Sequence, residues 1–117
     1  MKASTGKPAK RTARQRAVSN DEAMAKRFEA DPDYAIYYLN HVLAEGSQPD
    51  ILRALRWTAQ AFEGLPKAAA KAKRNPTSVY RSLSENGNPG LGTMLALLKA
   101  LGLRFSVKKE SSKGKAA

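Results

Sequence analysis

The sequence predicts an all-α fold: a compact helix-turn-helix domain with a short C-terminal strand and disordered basic tails. Three observations predict it. Apolar residues recur at helical spacing in one segment after another. Capping residues and prolines stand where those segments start, and glycines where several of them stop. Two neighbouring segments, 66–73 and 76–84, are short and tightly connected, with longer helices on either side.

Taken in order, Ser19-Asn20-Asp21-Glu22 has the form of a capping box and opens a first short helix with Met24 and Phe28 as its apolar contacts. Asp31 caps the second, and Pro32 sits in its first turn, where a missing N–H costs nothing. Ala35, Leu39, Val42 and Leu43 line it until Gly46. Ser47 to Asp50 is a further cap signal, ahead of a helix lined by Ile51, Leu55, Ala59 and Phe62 and stopped at Gly64; Trp57 reads most simply as core. Residues 66–73 are alanine-rich and helical. Asn75 and Pro76 start the helix 76–84, whose buried set is Val79, Tyr80 and Leu83. Residues 85–90, with two asparagines, two glycines and a proline, form a loop. Residues 93–101 are helical with Met94, Leu97, Leu98 and Leu101 inward, and Gly102 stops them. Leu103, Phe105 and Val107 then alternate with Arg104 and Ser106, which is strand periodicity. A lone strand needs a partner from outside the chain or from a symmetry mate, so a homodimer is one expectation.

The length of 117 residues suits a single domain. It divides into a disordered basic arm (1–18), a helical domain (19–107) and a disordered basic tail (108–117). Within the domain lie N-terminal helices (19–46), a helix-turn-helix core (47–102) and the strand (103–107). The net charge is +11, from 21 Lys and Arg against 10 Asp and Glu. The arm and the tail hold most of that excess. Residues 19–50 are acidic, with only Lys26 and Arg27 as bases, whereas 51–107 are basic, with only Glu63 and Glu85 as acids. An acidic half followed by a basic half points to two different partners.

Several function classes are excluded. Cysteine is absent and His41 is the only histidine, so no thiolate or paired-imidazole chemistry, no metal site and no cofactor is expected. Glu63 and Glu85 have no carboxylate partner in sequence, which argues against paired-acid catalysis and leaves a binding protein rather than an enzyme. No apolar run approaches the ~20 residues that span a bilayer, and no apolar stretch follows the basic N-terminus. A cytoplasmic, nucleoid-associated protein with no membrane partner is the expectation.

The paired short helices suit double-stranded DNA. The second is short enough to lie in a major groove, with small polar side chains in its first turn. Asn75, Thr77, Ser78 and Arg81 are the candidate base readers; Arg81 can donate two hydrogen bonds to guanine. Lys67, Lys71, Lys73 and Arg74, around the connection, are the candidate phosphate contacts. On the acidic half, Tyr34, Tyr37 and His41 form a stripe beside the core positions, flanked by Asp33. That stripe is a candidate surface for a protein partner.

The run from Val79 to Pro89 (Val-Tyr-Arg-Ser-Leu-Ser-Glu-Asn-Gly-Asn-Pro), followed by Thr93 and by Leu98-Lys99-Ala100-Leu101-Gly102-Leu103, resembles the addiction-module antidote proteins. These are HigA-type antitoxins with a Cro/lambda-repressor-like helix-turn-helix. Tyr38-Leu39-Asn40 and Leu43-Ala44-Glu45-Gly46 are similar to the family's first helix, and the resemblance covers about residues 28–107. It implies an antitoxin that represses its own operon at an operator and neutralises a small basic RelE/ParE-like toxin, here through Asp33, Tyr34, Tyr37 and His41. The alternatives are a toxin-binding adaptor without sequence-specific DNA binding and a stand-alone helix-turn-helix regulator. Four positions depart from the family pattern. Lys73 and Arg74 replace a glycine and an aliphatic residue in the turn, Pro76 replaces an arginine, and Gly92 replaces a capping Asp or Ser.

Overall fold

The structure, a computed structural model, describes residues 12–110. Residues 1–11 and 111–117, which hold most of the predicted arm and tail, lie outside the described residues. Within them the chain forms six helices: α1 (Ala13–Ala30), α2 (Pro32–Glu45), α3 (Gln48–Phe62), α4 (Leu65–Lys71), α5 (Pro76–Ser82) and α6 (Leu91–Ala100).

The first helix starts earlier than the cap at Ser19 predicts. Thr12 caps it: its hydroxyl accepts from the Gln15 amide at 3.1 Å, and the Gln15 side chain accepts from the Thr12 amide at 2.8 Å. Nothing in residues 13–18 breaks a helix, so this upstream box wins and Ser19 falls mid-helix. Those residues, assigned from sequence to the disordered arm, form the first turns of α1. The next two starts are as predicted. The Asp31 carboxylate accepts from the Tyr34 amide ahead of α2. Ser47 and Asp50 form a reciprocal box ahead of α3. Hydrogen bonds from the Ser47 backbone amide and hydroxyl, with the Arg53 guanidinium nearby, hold the Asp50 carboxyl below its ordinary range.

Helix α3 is the spine. It buries Leu52, Ala54, Leu55, Trp57, Thr58 and Ala59, and even Arg56. On one side Phe28 of α1, Ala35 of α2 and Trp57 form a cluster with Tyr34 and Tyr38, the rings meeting edge-on or tilted at 5.5–6.0 Å. On the other, Leu39 and Val42 of α2, Leu52 and Leu55 of α3, Ala68 and Ala69 of α4, Val79 and Leu83, and Leu97, Leu98 and Leu101 form the larger core.

Four further expectations are corrected. Leu43 is exposed, because it lies about 100° around the helix from Val42, off the buried stripe. Tyr80 is exposed as well: Val79 and Leu83, one turn apart, fill the contact of the short α5 with the core and leave no room for a third large side chain. Helix α6 begins at Leu91 after Gly90, without a side-chain cap, so Gly92 lies inside it rather than at its start. Finally, residues 103–107 do not form a strand, and none exists among the described residues. Leu103 and Phe105 pack against the larger core while Arg104 and Ser106 face outward. The period-two pattern thus records alternate burial on a helical core, with no neighbouring strand to make a ladder.

Candidate functional site

The site centres on α4, α5 and the connection between them. After Ala72 the Lys73 amide donates to the Ala70 carbonyl at 3.0 Å, and the Arg74 amide donates to the Ala69 carbonyl at 2.9 Å. This pair of bonds is a Schellman motif, which needs a left-handed residue at its corner. That residue is Lys73, at φ 58° the single non-glycine positive φ among the described residues. The same motif closes α6 at Gly102, φ 79°, where no Cβ opposes it. Lys73 therefore holds by tertiary context a conformation that a glycine adopts without penalty. Lys73→Gly is expected to stabilise the domain by about 0.5–1 kcal/mol in thermal or urea unfolding. A loss of stability would show that the lysine side chain itself supports the turn.

Arg74 takes the next position, usually apolar in this motif. Its guanidinium folds back instead onto the Ala72 and Lys73 carbonyls at 3.3 and 3.5 Å and reaches the Thr93 hydroxyl at 3.3 Å. It thereby caps α4 electrostatically and ties the turn to α6. Asn75 then caps α5, its Oδ1 accepting from the Ser78 amide at 2.9 Å, with Pro76 in the first turn. Val79 and Leu83 anchor α5 inward. Thr77 and Arg81, also one turn apart, lie on the opposite, exposed face, with Ser78 and Tyr80 exposed beside them. A hollow of about 520 Å³ between the end of α3, the start of α4 and α5 has Thr77 and Tyr80 at its wall.

Of the predicted phosphate contacts, Lys67 and Lys71 both face Glu63, at 3.8 and 3.2 Å, whereas Lys73 projects from the turn. Glu63 thus holds the two lysine heads in place beside the turn, at exposed sites where such pairs exchange readily with water or another anion.

On the acidic side the predicted stripe divides. Tyr34 is half-buried against Phe28, with the Arg27 guanidinium 4.7 Å over its ring. Tyr37 is 67% exposed and stacks on the exposed His41, ring centroids 6.4 Å apart. Asp33 is exposed in the first turn of α2. The structure brings Tyr37 and His41 together on one outward face, with Asp33 one turn before Tyr37.

One network is not read from the sequence. Arg56, 7% exposed, donates to both oxygens of Asp21 at 3.0 and 3.2 Å and, through its remaining amine, to the Leu83 carbonyl at the end of α5. The Trp57 indole donates to the same Asp21 at 2.7 Å. A single carboxylate of α1 therefore fixes the arginine that holds the last turn of α5. The signal in the sequence is the arginine itself: Arg56 lies four residues after Leu52 and three before Ala59, on the apolar stripe of α3.

Among the described residues no group of side chains could hold a metal ion, and no helix is long and apolar enough to cross a membrane. No solved structure matches the chain. It is 36% identical over 72 residues to an uncharacterized protein of Haemophilus influenzae, a stretch covering 62% of this chain and 73% of that relative. Residues 20–109 match the family described as probable addiction module antidote protein. That match takes in all of α2 to α6 and the Asp21 clamp, and the chain belongs to this antidote family.

Proposed function

We propose that the chain is a DNA-binding antitoxin. In this reading α4 and α5 act as a helix-turn-helix that recognises the operator of the chain's own operon, and α2 presents the surface that neutralises a small basic RelE/ParE-like toxin. Membership of an antidote family implies a toxin as counterpart and suggests a regulatory rather than catalytic role. The observation that carries the DNA reading is the turn. Lys73 and Arg74 depart from the family pattern, yet the connection keeps a left-handed corner, and α5 carries Thr77, Ser78 and Arg81 on the face opposite its core contacts. The left-handed corner sets the direction in which α5 leaves α4, and with it which side of α5 is turned outward.

In this reading Thr77, Ser78 and Arg81 meet base edges, joined by the side-chain amide NH2 of Asn75, since its Oδ1 is occupied by the cap. Lys67, Lys71, Lys73 and Arg74 meet phosphates and set the register. The test is a binding titration with operator and scrambled duplexes. Arg81→Ala should weaken operator binding by about 1–3 kcal/mol and relax preference at one base pair. Lys71→Ala should weaken both duplexes alike. Operator preference intact in Arg81→Ala would remove α5 as the reader.

The toxin surface rests on Tyr37 and His41, a stacked and outward-facing aromatic pair in the acidic half of the chain. Aromatic residues of this kind dominate interface energetics, while neighbouring acids such as Asp33 steer a basic partner. Tyr37→Ala should weaken toxin binding by about 2 kcal/mol, mainly through faster dissociation, and leave the unfolding midpoint unchanged because the ring is already exposed. Unchanged toxin kinetics would place the contact elsewhere.

A further inference from the structure

We infer, resting on the proposed reading of α5 as the base-contacting helix, that Asp21 and Arg56 are positioning residues for DNA recognition. A carboxylate on α1 sets where the far end of α5 lies, and so where Arg81 points. Helix α5 is poorly equipped to fix itself: it has seven residues, too few to be stable alone, and it anchors inward through Val79 and Leu83. Its two ends are held differently. The start is set by neighbours in the chain, namely the left-handed turn at Lys73, the Arg74 side chain and the Asn75 cap. The end is held from a distance. Arg56 of α3 donates to the Leu83 carbonyl, at the end of the helix where backbone carbonyls lack an intrahelical donor. A positive charge also suits that end of the helix dipole.

An arginine on its long stem does not by itself make a fixed post. Here the Nε and Nη2 edge of the guanidinium lies on both oxygens of Asp21, at 3.2 and 3.0 Å, and the Trp57 indole holds the same carboxylate at 2.7 Å. Two parallel bonds fix the plane of the guanidinium, and the plane fixes the direction in which Nη1 meets Leu83. Helix α1 itself packs on α2 and α3. The clamp carries its position through α3 to α5.

The displacement at stake is large enough to matter for one contact. Arg81 lies six residues past Asn75, about 9 Å along the helix axis. A tilt of about 10° about the capped start moves it by about 1.5 Å, beyond the roughly 0.5 Å that a preorganised contact tolerates. Thr77 and Ser78, in the first turn, move by less than about 1 Å. Lys67, Lys71 and Lys73 precede the pivot altogether. The Arg81 carbonyl accepts from the Ser84 amide and hydroxyl, at 3.2 and 2.6 Å, so it belongs to the same turn that the clamp holds. Loosening the clamp therefore acts on the Arg81 base contact and spares the phosphate contacts.

The test titrates full-length variants onto the operator duplex, onto operators changed at single base pairs, and onto a shuffled duplex. Asp21→Asn keeps the shape of the side chain and removes its charge and one acceptor. It should lower operator preference about tenfold, at the same base pair that Arg81→Ala relaxes. Affinity for the shuffled duplex and its salt dependence should stay as in wild type. In an Arg81→Ala background, Asp21→Asn should change the preference no further. Two more variants separate position from stability. Asp21→Ala/Arg56→Met leaves no buried charge unpaired, so it should be folded, yet it lacks the bond to Leu83 and should lose the preference as Asp21→Asn does. Val42→Ala, a core truncation in α2, should lower the unfolding midpoint and keep the preference. A preference unchanged in both clamp variants overturns the positioning role while leaving α5 as the reader. A loss shared by all duplexes, or matched by Val42→Ala, overturns it as well and marks a purely structural clamp. A wild-type chain without operator preference removes the reading of α5 itself, and the positioning role with it.

Discussion

Asp21→Ala is expected to destabilise the domain by about 3–5 kcal/mol. Among the described residues the carboxylate is the sole acidic partner of Arg56, whose side chain is 9% exposed, and it also accepts from the Trp57 indole. Removing it leaves a buried guanidinium and a buried N–H without their acceptor. The cost is that of an uncompensated buried charge rather than the net worth of the pair. The Asp21→Ala/Arg56→Met double variant should therefore recover a large part of the loss. Urea unfolding followed by circular dichroism measures the cycle, and Trp57 fluorescence reports the site directly. A loss below about 1 kcal/mol for Asp21→Ala would show that α1 is not clamped through this carboxylate.

Gly87→Ala is expected to cost about 3 kcal/mol, through crowding rather than through backbone conformation. A Cβ at residue 87 would lie 2.0 Å from the Ser82 carbonyl oxygen and 2.4 Å from its carbon, inside any non-bonded contact, and both are backbone atoms that cannot swing aside. The loop cannot simply lift away. The Gly87 amide donates to the Ser84 carbonyl at 2.8 Å, and the Gln48 side chain donates to the Gly87 carbonyl at 3.2 Å. Relief must come from the end of α5 or the start of α3. This gives a physical reason for the glycine in the Asn-Gly-Asn-Pro run: the loop passes so close to α5 that only a residue without a side chain fits. Thermal unfolding of Gly87→Ala checks it, and a midpoint within 1 °C of wild type would contradict the crowding.

How much of this was legible in the sequence differs from element to element. The boundaries of α2 and α3 were plain, because Asp31-Pro32 and Ser47 to Asp50 are strong local signals with glycines behind them. The start of α1 lies upstream of the expected Ser19 because a capping box at Thr12–Gln15, which the sequence reading does not identify, is followed by residues that carry the helix on without a break. The strand at 103–107 was misread because alternation of apolar residues reports alternate burial and carries no information on whether a second strand exists. Tyr80 was assigned inward by its spacing, but a seven-residue helix offers the core one ridge, and Val79 and Leu83 occupy it. The departure at Lys73 could be seen in the sequence, whereas its outcome, a lysine held left-handed, depends on the packing of α4, α5 and α6 around it. The Asp21–Arg56 clamp joins residues 35 apart. No local pattern encodes such a pair; only the arginine on an apolar stripe marks one end.

The central claim, that this antidote-family chain reads a specific DNA sequence through α5, is tested most directly by one titration. The full chain is titrated onto the duplex lying immediately upstream of its own coding sequence, and onto a shuffled duplex of the same composition, at rising salt. Phosphate contacts weaken equally on both duplexes as salt rises, whereas base contacts leave their difference in place. The account predicts a preference of about a thousandfold or more for the upstream duplex that survives as both affinities fall. Equal affinities that disappear together with salt would contradict it.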